Sequence, residues 1–172
     1  MLSVLPKRFG KYGLTLHPDK TRLVEFRRPD YRAPLIRAGA PRRPGTFDLL
    51  GFTHHWGKSR SGKWVVKRST SKDRFRRSIK RVTDWCRTHR HDDLREQQRT
   101  LSQKLRGHYG YFGITGNMAA LERFAFVVRR VWYRWLRRRS QRKRLNWERM
   151  KRLLERYPLP PPRIPHQRAA NP

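Results

Sequence analysis

The chain has 172 residues, with 44 Lys and Arg against 12 Asp and Glu, a net charge of +32 at neutral pH. So large an imbalance opposes compaction by self-repulsion and calls for a polyanionic partner. The 6 Trp, 6 Tyr and 8 Phe exclude a wholly disordered polyelectrolyte, because disordered segments are poor in aromatic residues.

Leu2, Leu5 and Phe9 fall at helical spacing with Lys7, Arg8 and Lys11 between them, which predicts a helix within residues 1–12 that Gly10 and Gly13 bring to an end. In Met1–Arg8 the apolar residues precede the charges, the reverse of a signal peptide. A chain that opens on the apolar face of a helix points to a packing partner upstream. Thr21–Phe26 alternates apolar and polar residues except at Leu23, and reads as a strand. Residues 27–46 hold four prolines, two glycines and a cluster of arginines, so an exposed loop is expected there. Phe47–His55 and Trp64–Arg68 are β-prone, and Gly57–Lys63 between them is a hairpin turn.

Beyond Ser69 the period becomes 3.6. Phe75, Ile79, Val82 and Cys86, at spacings of 4, 3 and 4, line one face of a helix. Cys86 on that face is a core residue rather than a nucleophile, and a lone cysteine permits a reducing compartment, so the expected location is the cytoplasm. Asp92 caps a second helix with the apolar line Leu94, Leu101, Leu105, His108/Tyr109 and Phe112, ended by Gly113 and Gly116. Asn117 caps a third, with a broad stripe of Met118, Leu121, Phe124, Ala125, Val128, Val131, Trp132, Trp135 and Leu136. A fourth runs from Asn146 to Tyr157 with Trp147, Met150, Leu153 and Leu154 inward, and Pro158 stops it. Residues 159–172 are proline-rich and aperiodic, hence extended or disordered. No run approaches the roughly 18 apolar residues of a membrane span. The expected class is α+β: a short antiparallel β portion in residues 1–68, a mostly helical bundle in 69–157, and a tail in 158–172.

Charge patterning supplies the candidate contacts. Arg74, Arg77, Lys80, Arg81, Lys104, Arg106, Arg129, Arg130, Arg134, Arg137, Arg138, Arg139 and Lys143 have almost no acidic residues at helical spacing to pair with, so an anionic partner fits them better than a merely solvated face. Guanidinium forks suit phosphate and also stack on exposed bases. Trp132, Trp135 and Phe124 recur at helix spacing and read as core; Tyr109, Tyr111 and Phe112 read as packing, with Tyr111 off the main stripe. His54-His55 and His89/His91 lack the cysteine or carboxylate partners of a zinc site. Asp92-Asp93, the adjacent aspartates of the chain, follow a polar run and read as a helix N-terminus rather than a metal pair.

Four blocks in order, Gly13–Thr21, Phe47–Phe52, Leu105–Gly113 and Val131–Leu136, carry a resemblance. Along nearly its whole length the chain resembles the C-terminal part of bacterial group II intron-encoded reverse transcriptase/maturases, proteins of mobile elements. The resemblance implies that residues 1–68 are the end of a reverse-transcriptase palm and 69–157 the thumb, or maturase-specific, region. In that family a Tyr-x-Asp-Asp turn binds two Mg²⁺ ions for RNA-directed DNA polymerisation. This chain begins just past the place of that turn, so the resemblance implies a truncated relative with no catalytic residue, no metal site and no cofactor of its own. Lys20 matches a lysine near the incoming triphosphate, and Leu50, Gly51 and Phe52 match the primer grip. At Gly51 two readings stand together: a bare backbone that nucleic acid approaches closely, and a glycine of a core strand. The implied function is an RNA-binding maturase that assists group II intron splicing by stabilising the folded intron RNA. The alternatives are a C-terminal polymerase piece that needs an upstream polypeptide, and a non-functional remnant. The implied partners are structured RNA, above all group II intron RNA, then an RNA/DNA duplex and an upstream reverse-transcriptase fragment; no membrane is implied.

Overall fold

The computed structural model describes residues 3–17, 21, 23–29, 45–139 and 145–165. In chain order they form α1 (Val4–Gly10), β1 (Phe47–Leu49), β2 (Phe52–Lys58), β3 (Trp64–Thr70), α2 (Lys72–Thr88), α3 (Leu94–Phe112), α4 (Met118–Leu136) and α5 (Trp147–Arg156). Five helices and one small antiparallel sheet, ordered β1-β2-β3, make the fold α+β and mostly helical, as expected. The residues group into two compact units, one drawn from 1–47 and 55–66, the other from 48–54 and 67–172.

The first unit is small. Helix α1 ends at Gly10, and Gly13 turns the chain with φ 68°. Its aromatic cluster forms around Phe26, which meets Phe47 edge-on at 4.9 Å and stacks on Trp56 at 5.3 Å. The strand expected at Thr21–Phe26 is not formed: residues 23–29 have no regular structure, and Leu23 is 77% exposed. Alternation alone makes no strand without a neighbour to complete its ladder; here Thr21 instead bonds back to the His17 carbonyl through both its N–H and its hydroxyl, a helix-like closure. The outer part of the β2–β3 hairpin closes through Ser59, whose N–H donates to the Lys63 carbonyl at 2.8 Å, with Gly62 at φ 76°. Strand β2 thus runs through Lys58, and the turn occupies 59–63 rather than 57–63.

The second unit holds the core. Helix α4 lies at its centre, burying Leu121, Phe124, Ala125, Val128, Val131, Trp132 and Leu136. It packs against α2, which contributes Val82 and Cys86 with Phe75 and Ile79 beside them, and against Leu101, Leu105, Tyr109 and Phe112 of α3. These stripes follow the 3.6 period of the sequence because each helix has one face to hide. Trp147 is an exception: it is 44% exposed and meets Tyr133 edge-on at 5.2 Å, whereas Met150, one turn inward, is fully buried.

The caps differ in detail from expectation. Asp93, not Asp92, caps α3, accepting from the N–H groups of Arg95 and Glu96 at 2.7 and 3.4 Å. The carbonyl of Asp92 instead accepts from Gln97 and Arg139. Asn146 caps α5 through the Arg149 N–H at 2.9 Å. Asn117 precedes α4 but its side chain caps nothing in that helix. It is buried, accepts from the Thr70 N–H at 3.0 Å, and donates to the Thr70 hydroxyl and the Phe112 carbonyl at 2.9 and 2.8 Å. A short polar side chain can satisfy backbone groups that two other elements leave over, and here that outweighs the helix it precedes.

Residues 158–165 form neither helix nor strand, and they are packed. Gln98 donates to the Pro158 carbonyl at 2.7 Å, Tyr109 donates its hydroxyl to the Pro160 carbonyl at 3.2 Å, and Leu159 and Ile164 join the core cluster. At Gly113 the segment comes so close that a Cβ would stand 2.5 Å from the Pro165 ring. Proline supplies no N–H to satisfy, so a proline-rich strap can bury its rings at small cost. Residues 166–172 lie outside the described part.

Candidate nucleic-acid interface

Arginines on a helix that buries a broad stripe must emerge on the rest of its circumference. On α2, Arg74, Arg77 and Arg81 recur at spacings of 3 and 4, and all are exposed; Lys80 leaves by the other flank. On α3, Lys104 lies over the Trp85 ring at 5.5 Å, and Arg106 is exposed. On α4 and at the Arg137 that caps its C-terminus, Arg130, Arg134 and Arg137 form an exposed row at spacings of 4 and 3. Arg138 lies over the Trp135 ring at 4.9 Å, a cation–π contact. Arg129 stands beside the proline strap, and Arg139 donates to the carbonyls of His91 and Asp92 at 3.0 and 2.9 Å. Arg139 therefore stitches the α2–α3 connection to the end of α4 while keeping its charge. Lys143 and Lys20 lie outside the described residues.

What these cations lack is acid. Among the described residues the ion pairs are Glu25–Arg27 and Asp84–Arg87, both exposed. The guanidinium groups of α4 are instead interleaved with aromatic rings. Arg130 lies over Phe126 and Arg137 over Tyr133, each at 5.6 Å, and these four residues with Arg134 and Arg138 line one open hollow on the outer side of the helix. The cations of α2 and α3 are not part of that hollow. Phe126 and its place among the arginines escaped the sequence reading; the signal was there, since residue 126 falls opposite the buried stripe of Leu121, Ala125, Val128 and Trp132.

The turn between β1 and β2 does not line this hollow. Leu50 and Gly51 form this two-residue turn with φ 50° and 82°, the signature of a type I′ turn. Gly51 is thus a turn residue, not part of a core strand, and a Cβ there would come within 3.2 Å of the Arg74 side chain. Leu50 is 74% exposed while its carbonyl accepts from the Tyr111 hydroxyl at 2.8 Å, and Phe52 stacks on Tyr111 at 6.0 Å and meets Phe112 at 5.4 Å. The exposed Tyr111 ring is therefore anchored at one face and at its hydroxyl.

The titratable groups with shifted pKa values among the described residues are buried core side chains. Burial pushes the Cys86 thiol up to about 12, with the Lys104 charge pulling the other way. Burial likewise pulls His108, stacked on Phe124 at 3.6 Å, down to about 4, and pushes the Tyr109 phenol up to about 12 against the pull of Arg129. Asp93 is engaged as a helix cap, and among the described residues no three His, Cys, Asp or Glu side chains converge as metal ligands. Nor is any described helix long and apolar enough to cross a membrane.

A basic bundle with arginine–aromatic interleaving is shared by many nucleic-acid binders, and a comparison of sequences is more specific. Residues 72–153 match the family model of the group II intron maturase-specific domain. The match begins with α2 and runs into α5, so it includes the arginine row of α4. Over those residues the chain is similar to that domain, which supports a role in group II intron splicing in general. No curated protein and no solved structure matches the chain.

Proposed function

We propose that the maturase-specific helices bind group II intron RNA directly and assist splicing by holding the intron in its folded form, with the RNA supplying the cleavage chemistry. The observation that carries this reading is the row of Arg130, Arg134 and Arg137 on α4, exposed and without a carboxylate partner among the described residues. Such cations gain most from phosphate, and binding releases the counterions condensed on RNA. Arg74, Arg77 and Arg81 of α2 extend the phosphate contacts in this reading, with Lys80, Lys104 and Arg106 beside them. No cofactor is needed for that role. The test is charge reversal of Arg130, Arg134 and Arg137 to Glu, with affinity for folded intron RNA measured from 50 to 200 mM salt. The expected result is weaker binding and a log–log salt slope shallower by about 0.7–0.9 per phosphate lost. Unchanged affinity and slope would remove the row from the interface.

A second reading takes the β1–β2 hairpin as a primer-grip element of an RNA-directed DNA polymerase. Its support is the anchoring of the Leu50–Gly51 turn by Tyr111 and Phe52, which gives a rigid tip against an RNA/DNA duplex. Here Lys20 would stand near the triphosphate, and an upstream polypeptide would supply the aspartates and their Mg²⁺. Primer extension by a mixture of this chain with such a polypeptide tests it; no extension above that of the upstream polypeptide alone would count against it.

A further inference from the structure

We infer that the outer face of α4 carries a stacking site for an unpaired RNA base, with Phe126 as its platform. The inference rests on the RNA-binding reading above and deepens it by naming the form of RNA that this face takes. Phe126 is 51% exposed, on a helix whose stripe of Phe124, Ala125 and Val128 already fills the core. Apart from the Arg130 guanidinium over it, its ring has no packing role that the described residues reveal, and covering the rest of its half-exposed apolar surface would be favourable. Two turns on, Tyr133 is fixed in place: its hydroxyl donates to the Leu145 carbonyl at 3.3 Å and its ring meets Trp147. Arg130 and Arg137 lie over these two rings, and Arg134 emerges between them.

The chemistry of this hollow selects its occupant. A flat apolar ring bordered by guanidinium groups matches a nucleotide, whose base offers a π-face and whose phosphate offers charge. A paired A-form helix does not fit, because its base faces are stacked away and its wide minor groove presents only edges, 2′-hydroxyls and phosphates. Only a base in a loop, bulge or single strand can lay its face on Phe126. A protein partner would have to be strongly acidic to approach this rim, and a second copy of this chain, with its own charge of +32, is repelled from it. The nearest acid on α4, Glu122, lies a turn toward the N-terminus.

The experiment uses the full chain and two RNAs: a hairpin with an unpaired loop bearing 2-aminopurine, and a fully paired duplex of equal length. Phe126→Ala is expected to weaken hairpin binding about tenfold, to leave duplex binding within twofold, and to leave the salt slope of both unchanged. The wild type and Phe126→Trp are expected to perturb 2-aminopurine fluorescence on binding, and Phe126→Ala to leave it as in free RNA. Circular dichroism of each variant confirms that the helices are retained. Equal loss on both RNAs, or no loss on the hairpin, would overturn the stacking site while leaving phosphate binding standing; so would a loss of self-association in Phe126→Ala with RNA binding intact. If the wild type binds neither RNA in a salt-dependent way, the RNA-binding reading itself fails.

Discussion

Asn117 offers the sharpest test of the fold, because two accounts of it predict opposite outcomes. Were it an ordinary helix cap, serine would serve as well and alanine would cost about 1 kcal/mol. Its side chain instead joins the end of β3 to the end of α3 through three hydrogen bonds at 2.8–3.0 Å, at 1% exposure. Asn117→Ala leaves the Thr70 N–H and the Phe112 carbonyl short of partners. At about 1 kcal/mol per bond, the loss is about 3 kcal/mol, or roughly 6–12 °C in Tm for a chain of this size. Serine is too short to span the same three groups and should lose most of that. The carboxylate introduced by Asn117→Asp can accept from Thr70 but, ionised, cannot donate to the Phe112 carbonyl. Its protonated form can donate there, so relative to the wild type at the same pH this variant is expected to be less destabilised at pH 4 than at pH 7. Urea titrations followed by helical circular dichroism and by tryptophan fluorescence, at pH 4 and pH 7, separate these cases. If Asn117→Ser unfolds within about 0.5 kcal/mol of the wild type, the capping account wins and the three-bond network is energetically empty.

Two further outcomes follow from local geometry. His108 is held down at about 4, against an ordinary 6.5, by burial against Phe124 and Phe112. Its contribution is intact above pH 6.5 and is lost as pH falls toward 4, up to about 3 kcal/mol; His108→Leu should flatten the urea midpoint over that window, and an unchanged pH profile would refute the assignment. Leu50 holds φ 50° with its side chain mostly in water, so Leu50→Asn should raise stability by about 1 kcal/mol by relieving the left-handed backbone. A lowered urea midpoint would show that its side chain matters more than its backbone.

The helical face of Phe75, Ile79, Val82 and Cys86, and the long stripe of α4, were legible because burial imposes a period that composition cannot hide. The same logic fails at Thr21–Phe26, where alternation lacks a partner strand, and at Trp147, whose place on the apolar face predicts an inward ring that is instead half exposed. The turn inside Phe47–His55 is implied by the resemblance to a primer-grip hairpin and not by residue pattern, because Leu50 carries no turn signal; its αL backbone sits beside Gly51, and its carbonyl accepts from the Tyr111 hydroxyl. Asn117 stands where a cap is expected, and only the positions of Thr70 and Phe112 reveal its other task. The strap of 158–165 has no periodicity to read, since its packing depends on Tyr109 and Gly113, about fifty residues away. Of the basic candidates, each helix's exposed row is legible from spacing, but the joining of Arg130 to Phe126 and of Arg139 to the carbonyls of His91 and Asp92 depends on side-chain placement that spacing does not specify.

The shortage of carboxylate partners around the arginine rows makes salt act with opposite sign on the two states of this protein. In the free chain the charge of +32 repels itself, so added electrolyte screens the repulsion and should make the fold firmer. In the complex the same electrolyte competes with phosphate and loosens the RNA. Any polyanion that favours the folded form over the unfolded one then acts as a folding ligand, adding RT ln(1 + [L]/Kd) to stability. Melting curves taken with and without RNA should draw together as salt rises, the free one climbing while the bound one falls.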